Sequence, residues 1–248
     1  SNHADIAWAK VGDSIIISFT SNEEILTPTV SILNQTAIVS NPQGNNYKAI
    51  YVPNDSDIEG ESNFEIQFSD LAGNEGTSIT ASTNNTKVIF DKTPPADFTV
   101  GLLTPTGGNQ VDGMWNLTNT GMDIIIPVAN DTTLKNGTVQ LYGKVGSNSF
   151  EVLGSISTSL SNEINANKII SVSSTLIEGL TGFSEGQRIY VKAVMSDRPG
   201  NITEGSQSII EILIDETPAS ITPISILSSN NNTALAKVGD TVSVSFTT

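Results

Sequence analysis

The chain has 248 residues, enough for one or two domains, or two small ones and a remnant. Its formal charge of −15 argues against nucleic-acid and anionic-membrane partners and makes free cations the natural counterparts. There is no cysteine, so disulfides, thiolate metal sites and cysteine nucleophiles are excluded, and the one histidine, His3, has no nucleophile motif beside it.

Ser, Thr and Asn make up 81 residues, short polar side chains that compete for backbone hydrogen bonds and disfavour helix. The elements in chain order are accordingly strands. Ile15, Ile17 and Phe19 alternate with Ser14, Ile16 and Ser18; Thr29 to Leu33, Thr36 to Ser40 and Tyr47 to Val52 follow, then Phe64, Ile66 and Phe68, then Lys87 to Phe90. The second half predicts strands at Asp97 to Leu102, Met122 to Val128, Thr138 to Val145, Phe150 to Leu153, Lys168 to Ser173, Ile189 to Met195 and Ser208 to Ile214. Ser174 to Leu180 is the one stretch allowed a helical turn. Asn136-Gly137 is a hairpin signal, and Pro42 to Asn46 and Gly107 to Asn109 are further turns. No run approaches the roughly 20 apolar residues of a membrane span, and an export signal or anchor is expected outside this sequence.

Internal repeats organise the chain. Ala9-Lys10-Val11-Gly12-Asp13 returns as Ala236-Lys237-Val238-Gly239-Asp240, and Ser18-Phe19-Thr20 as Ser245-Phe246-Thr247, at the same offset. Ser69-Asp70-Leu71-Ala72-Gly73-Asn74 matches Ser196-Asp197-Arg198-Pro199-Gly200-Asn201. Ile89-Phe90-Asp91-Lys92-Thr93-Pro94 matches Leu213-Ile214-Asp215-Glu216-Thr217-Pro218. The expected organisation is a β-sandwich over 1–95, a larger one over 96–219, and the first strands of a third repeat over 220–248. Proline after each last strand ends the ladder and stiffens a short linker. The fold class is all-β, with tandem immunoglobulin-like antiparallel β-sandwiches in an extended array.

The S-D-x-x-G-N turn paired with D-x-T-P, after Ala9 to Asp13, resembles the tandem immunoglobulin-like repeats of giant prokaryotic surface proteins, among them S-layer proteins and biofilm-type adhesins. The likeness covers the first repeat and the terminal fragment, but in the second repeat only the last quarter, where Arg198-Pro199 replaces the usual small pair. It implies an extracellular, cell-surface location and Ca²⁺ at domain junctions. Ca²⁺ takes six to eight oxygen ligands, so Asp70, Asn74 and Asp91 form one candidate set and Asp197, Asn201 and Asp215 the equivalent set. The acidic loop holding Asp55, Asp57 and Glu59 is a separate candidate. The alternative reading is that these are ordinary Asx turn residues.

Eight N-x-S/T sequons begin at Asn34, Asn54, Asn84, Asn116, Asn130, Asn136, Asn201 and Asn231, a slight excess over chance in so Asn-rich a chain. Glycosylation and a purely compositional origin both remain open. Lys10 and Lys237 are weak candidates for isopeptide bonds and equally ordinary guards of sheet edges. No catalytic constellation stands out, so the expectation is a non-enzymatic structural segment of an S-layer, sheath or filament, its partners being neighbouring repeats or other copies. An adhesin stalk is the alternative. A carbohydrate-binding accessory module ranks third, because the few aromatics do not cluster in the sequence. The final residues, with Val242, Val244 and Phe246 alternating, are either an excerpt of a longer array or strands that complete another copy.

Overall fold

The computed structural model describes residues 1–158, 160, 164–222 and 224–246. Thr247 of the repeated Ser-Phe-Thr lies outside them. In the first sandwich the strands are β1 (Trp8–Ala9), β2 (Ile15–Thr20), β3 (Thr29–Ile32), β4 (Gln35–Thr36), β5 (Ile38–Gln43), β6 (Asn46–Tyr51), β7 (Gly60–Glu61), β8 (Phe64–Gln67) and β9 (Ile89–Phe90). One layer is β2-β6-β5; the other is built from β4-β3-β8 and β1-β9-β7. Alternation decides which side chains go inside: Val30, Ile32, Ala49, Ile66 and Phe90 are at most 2% exposed and form one core.

The second sandwich contains β10 (Leu103–Thr106), β11 (Met114–Trp115), β12 (Gly121–Val128), β13 (Thr138–Val145), β14 (Glu151–Val152), β15 (Ser157–Thr158), β16 (Ala166–Ser173), β17 (Arg188–Ser196), β18 (Ile202–Glu204) and β19 (Ile212–Ile214). Among the described residues the one α-helix is α1 (Ser174–Glu178). β10-β12-β16 faces β11-β19-β17-β13-β14, and a second, larger core forms around Trp115, Ile124, Ile126, Leu141, Val191 and Ile214. The two apolar clusters share no residue. In both sandwiches a two-residue strand near the start pairs in parallel with the last strand, β1 with β9 and β11 with β19. All other strand pairs among the described residues are antiparallel.

Strand existence follows the alternation closely; β13 matches its predicted range residue for residue. The strand expected at Asp97 to Leu102 is instead a crossing segment. Val100 N–H donates to the Ser206 carbonyl at 3.1 Å, whereas Gly101 N–H donates to the Ile125 carbonyl at 2.8 Å. The chain changes sheets at that glycine, so a regular ladder begins only at Leu103. Beyond the second sandwich, β20 (Ile224–Ser228) and β21 (Val242–Phe246) form a two-stranded hairpin with only Ser228 buried.

Candidate cation site between the two sandwiches

The two S-D-x-x-G-N segments fold into the same turn. Asp70 N–H donates to the Asn74 carbonyl and Asp197 N–H to the Asn201 carbonyl, both at 3.0 Å. Each Asp carboxylate in turn accepts from its Asn, at 2.8 and 2.6 Å in the first turn and 2.7 and 3.0 Å in the second. Gly73 and Gly200 have φ of +88° and +86°, a region costly for any residue with a Cβ, which explains why the motif carries glycine.

These turns do not meet the Asp-x-Thr-Pro end of their own sandwich, which corrects the two ligand sets expected from sequence. β19 pairs with the beginning of β17, Arg188 and Ile189, so Asp215 lies beyond the start of β17 while Asp197 follows its end. Nine extended residues, roughly 25–30 Å, separate them. The same arrangement places Asp91 beside β7 and Asp70 past the far end of β8. Asp91 instead meets the next repeat: Asn201 Nδ2 donates to the Asp91 carbonyl at 3.1 Å and to Asp197 Oδ2 at 3.0 Å. The set brought together is therefore Asp91, Asp197 and Asn201. Asp70 with Asn74, and Asp215, stand at outer poles, where Asp70 is partly exposed and Asn74 and Asp215 are exposed.

Glu59 completes the cluster. Its Oε1 accepts from Lys92 N–H at 2.8 Å and Thr93 Oγ1 at 2.7 Å. Glu185 holds the equivalent place at the other end of the second sandwich, accepting from Glu216 N–H at 2.8 Å. Both acids precede a positive-φ glycine, Gly60 and Gly186. This Glu-Gly repeat, separated from its Asp-x-Thr-Pro by a variable number of residues, was the signal that sequence comparison missed. Burial opposes ionisation of Glu59, but the donors from Thr93 and Lys92 outweigh it and hold the carboxyl below its ordinary range.

Asp91 is 6% exposed and Asp197 3%. Thr93 N–H donates to Asp91 Oδ1 at 3.0 Å, but Asp91 Oδ2 is buried with no partner. Burial pushes the Asp91 carboxyl up to about 6, with the negative charges of Asp197 and Glu59 and a carboxyl–carboxyl hydrogen bond to Glu59, which needs a shared proton, adding to the shift. Burial also raises Asp197, against the donors from Asn201. An unpartnered buried carboxylate oxygen beside two further acids is costly unless a proton or a cation joins it. Among the described residues no three His, Cys, Asp or Glu side chains form a metal-holding group by themselves, so a cation here would also need amide and backbone oxygens.

Contacts around the cluster fix the two sandwiches against each other. Lys10 Nζ donates to the Gly200 carbonyl at 2.7 Å, so this lysine caps the turn. Arg198 Nε donates to Asp5 Oδ2 at 2.7 Å and its guanidinium lies 5.4 Å from the Trp8 ring centroid. Thr203 donates to the Pro95 carbonyl. Arg198→Ala should lower the melting temperature with a loss of about 0.5–1.5 kcal/mol, since the ion pair is one-third exposed and the ring contact adds to it. Thermal unfolding of Arg198→Ala and Arg198→Lys checks this, with lysine recovering only part.

The acidic loop does not converge on one point. Asp57 Oδ2 accepts from Tyr51 Oη at 2.7 Å and Asn54 N–H at 2.8 Å, and Lys92 Nζ sits on the Asp55 and Asp57 carbonyls at 2.6 and 2.8 Å. That ammonium sits on backbone carbonyls of the loop, while Asp57 Oδ1 is buried without a partner. Asp55 is exposed and Glu59 turns to the junction. The sequons also acquire a structural reason. In Asn54, Asn84 and Asn116 the side-chain oxygen accepts from both the N–H and the hydroxyl of the Ser or Thr two residues on, closing an Asx turn. Asn201 spends its amide on the junction. Asn34 and Asn136 take positive φ, and Asn130 and Asn231 are exposed.

Aromatics that are dispersed in the sequence meet in space. On the solvent face of β13 and β17, Lys144 Nζ lies 4.8 Å from the Phe150 centroid and 5.1 Å from that of Tyr190. Lys192 Nζ lies 5.6 Å from Tyr142 and 4.8 Å from Phe150. The lysines occupy the ring faces, so the ladder tacks the Phe150 segment onto the sheet.

No family model matches the chain, and no curated protein matches it by sequence. Among solved structures it is similar to the Bacteroides ovatus mixed-linkage glucan utilization locus protein SGBP-B in complex with a mixed-linkage heptasaccharide, at 12% identity and TM-score 0.25, over 96% of this chain and 50% of that one. The chain thus spans half the length of that protein. It is also similar to the FN1–FN3 domains of chicken CNTN1, at 11% identity and TM-score 0.29, over 96% of this chain and 71% of that one.

Proposed function

We propose that the chain is a structural segment of a large extracellular surface protein, and that Ca²⁺ at the junction holds its sandwiches in one fixed orientation. The observation that carries this reading is the partnerless, buried Oδ2 of Asp91 at the contact with Asp197 and Asn201 of the next repeat. Asp91, Asp197 and Glu59 offer carboxylate oxygens, and the Asn201 amide and nearby carbonyls supply neutral ones, the oxygen-only chemistry that Ca²⁺ prefers. Bound there, Ca²⁺ would supply the positive charge that the buried acids lack. Donors from both sandwiches meet at this point, so a cation binding them resists bending between the two. The resemblance to repeats of giant prokaryotic surface proteins favours an S-layer, sheath or filament array; a stalk that carries an adhesin tip uses the same mechanics.

Small-angle scattering of the chain in Ca²⁺ and in chelator tests the reading. The expected result is a longer, stiffer particle with Ca²⁺, and a loss of that difference in Asp91→Ala. Superimposable curves in both buffers would reduce the junction acids to turn and linker residues.

A further inference from the structure

We propose that Asn84 is an N-glycosylation site, its Nδ2 the acceptor and a sugar carried on a polyprenyl pyrophosphate the donor; the proposal rests on the extracellular reading. Sequence alone leaves the eight sequons equal. The structure ranks them by what each side-chain amide does. Asn54 Nδ2 donates to Tyr51 Oη at 3.2 Å, Asn116 Nδ2 to the Asn109 carbonyl at 2.6 Å, and Asn201 Nδ2 bridges Asp91 and Asp197 at the junction. A transferase has to break those bonds before it can attach a sugar. Asn34 sits at φ +61° in the tight turn between β3 and β4, its Oδ1 accepting from Asn63 Nδ2 at 3.0 Å, and Asn136 sits at φ +64° in the turn before β13. Asn130 and Asn231 are exposed, yet among the described residues neither is bonded to the Thr of its own sequon.

Asn84 combines a bonded hydroxyl with an open amide. Its Oδ1 accepts from Thr86 N–H at 3.2 Å and from Thr86 Oγ1 at 2.7 Å, while its Nδ2 has no hydrogen-bond partner among the described residues and the residue is exposed. Two donors on Oδ1 polarise the amide and ease loss of the Nδ2 proton. In the transfer Nδ2 supplies the electron pair of a new bond to the sugar C1. The C1–O bond breaks with its pair going to the pyrophosphate, and the Nδ2 proton passes to a base of the transferase. Backbone access matches this chemistry: residues 83–87 are all exposed, and no strand lies between the Ile66–Ile79 bridge and β9. From Asn74 to Phe90 the chain is three residues longer than from Asn201 to Ile214, the same landmarks of the second repeat. Surface segments absorb added length in this way because no ladder constrains them.

The test incubates the folded full chain with an N-linking oligosaccharyltransferase and its polyprenyl-pyrophosphate oligosaccharide, and maps the glycopeptides by mass spectrometry. The expected result is a glycan on Asn84 that forms several-fold faster than on Asn116 or Asn201, whose sequons also end in Thr. Short synthetic peptides carrying the three sequons should lose that ranking, because the fold imposes it. Asn84→Gln should remove the Asn84 glycan without moving the melting temperature. The Asn84 peptide from protein taken from its own cell surface should carry a glycan as well. An Asn84 that reacts in the short peptide but not in the folded chain, equal rates at Asn84, Asn116 and Asn201, or a cell-surface peptide recovered only with bare Asn84 would overturn the proposal. Asn84 bonds within its own turn, so failure here leaves the calcium-stiffened junction standing, and loss of the Ca²⁺ effect leaves the acceptor standing.

Discussion

Asp91→Asn is expected to abolish stabilisation by Ca²⁺ while leaving the protein folded, and in chelator at neutral pH to match or exceed the native chain in stability. Asn keeps the shape and the contact to Thr93 but removes a buried charge whose second oxygen has no partner. With an extracellular-type affinity near 0.1 mM and roughly 10 mM Ca²⁺, binding adds about 2.7 kcal/mol to the native chain and nothing to the variant. The pH dependence in chelator follows from the same carboxyl. Its folded value is raised from 3.8 to about 6, so its contribution is fully present below about 4 and is lost as pH rises through about 6. At 1.36 kcal/mol per unit the loss is at most about 3 kcal/mol. Melting temperatures from pH 4 to pH 7 should therefore fall in chelator for the native chain and show a much smaller fall for Asp91→Asn. Saturating Ca²⁺ should flatten the native profile, because the cation takes the place of the proton.

Trp115→Ala should cost about 3–5 kcal/mol, and the second sandwich should bear it. Trp115 is 0% exposed, with Phe183 edge-on at 6.4 Å, and it sits on β11, the short parallel strand that closes the sheet against β19. Its Nε1 is buried without a partner, so Trp115→Phe should be much milder than the volume lost suggests. Calorimetry of Trp115→Ala should split the unfolding into two transitions, the earlier from the second sandwich. A uniform shift of one transition would mean that the two cores unfold as one unit.

Much of the fold was legible because alternation in Ser-, Thr- and Asn-rich strands has only one reading, as at Thr138 to Val145 and Ile189 to Met195. Two-residue strands such as β1 and β11 were not, since they carry no period and exist only through their pairing with β9 and β19. The site was legible in parts but not in assembly. Asp91, Asp197 and Asn201 were all marked by the repeats, yet motifs that recur once per sandwich look like members of one sandwich. The strand between them, β17 or β7 with β8, carries the turn to the opposite pole, and the partners come from adjacent repeats. Glu59 was read as part of a local acidic loop because its real partners, Lys92 and Thr93, lie 33 and 34 residues away. Lys92 filling the loop carbonyls, and two lysines filling the faces of three rings, are contacts between strands that no local spacing announces.

Calorimetric titration of the chain with Ca²⁺, with Asp91→Asn, Asp197→Asn and Asp70→Asn in parallel, reads the junction site itself. The expected result is a binding event that is lost in the first two variants and kept in the third, whose turn sits at the outer pole. Binding that survives loss of both Asp91 and Asp197, or no binding by the native chain at millimolar Ca²⁺, would contradict it.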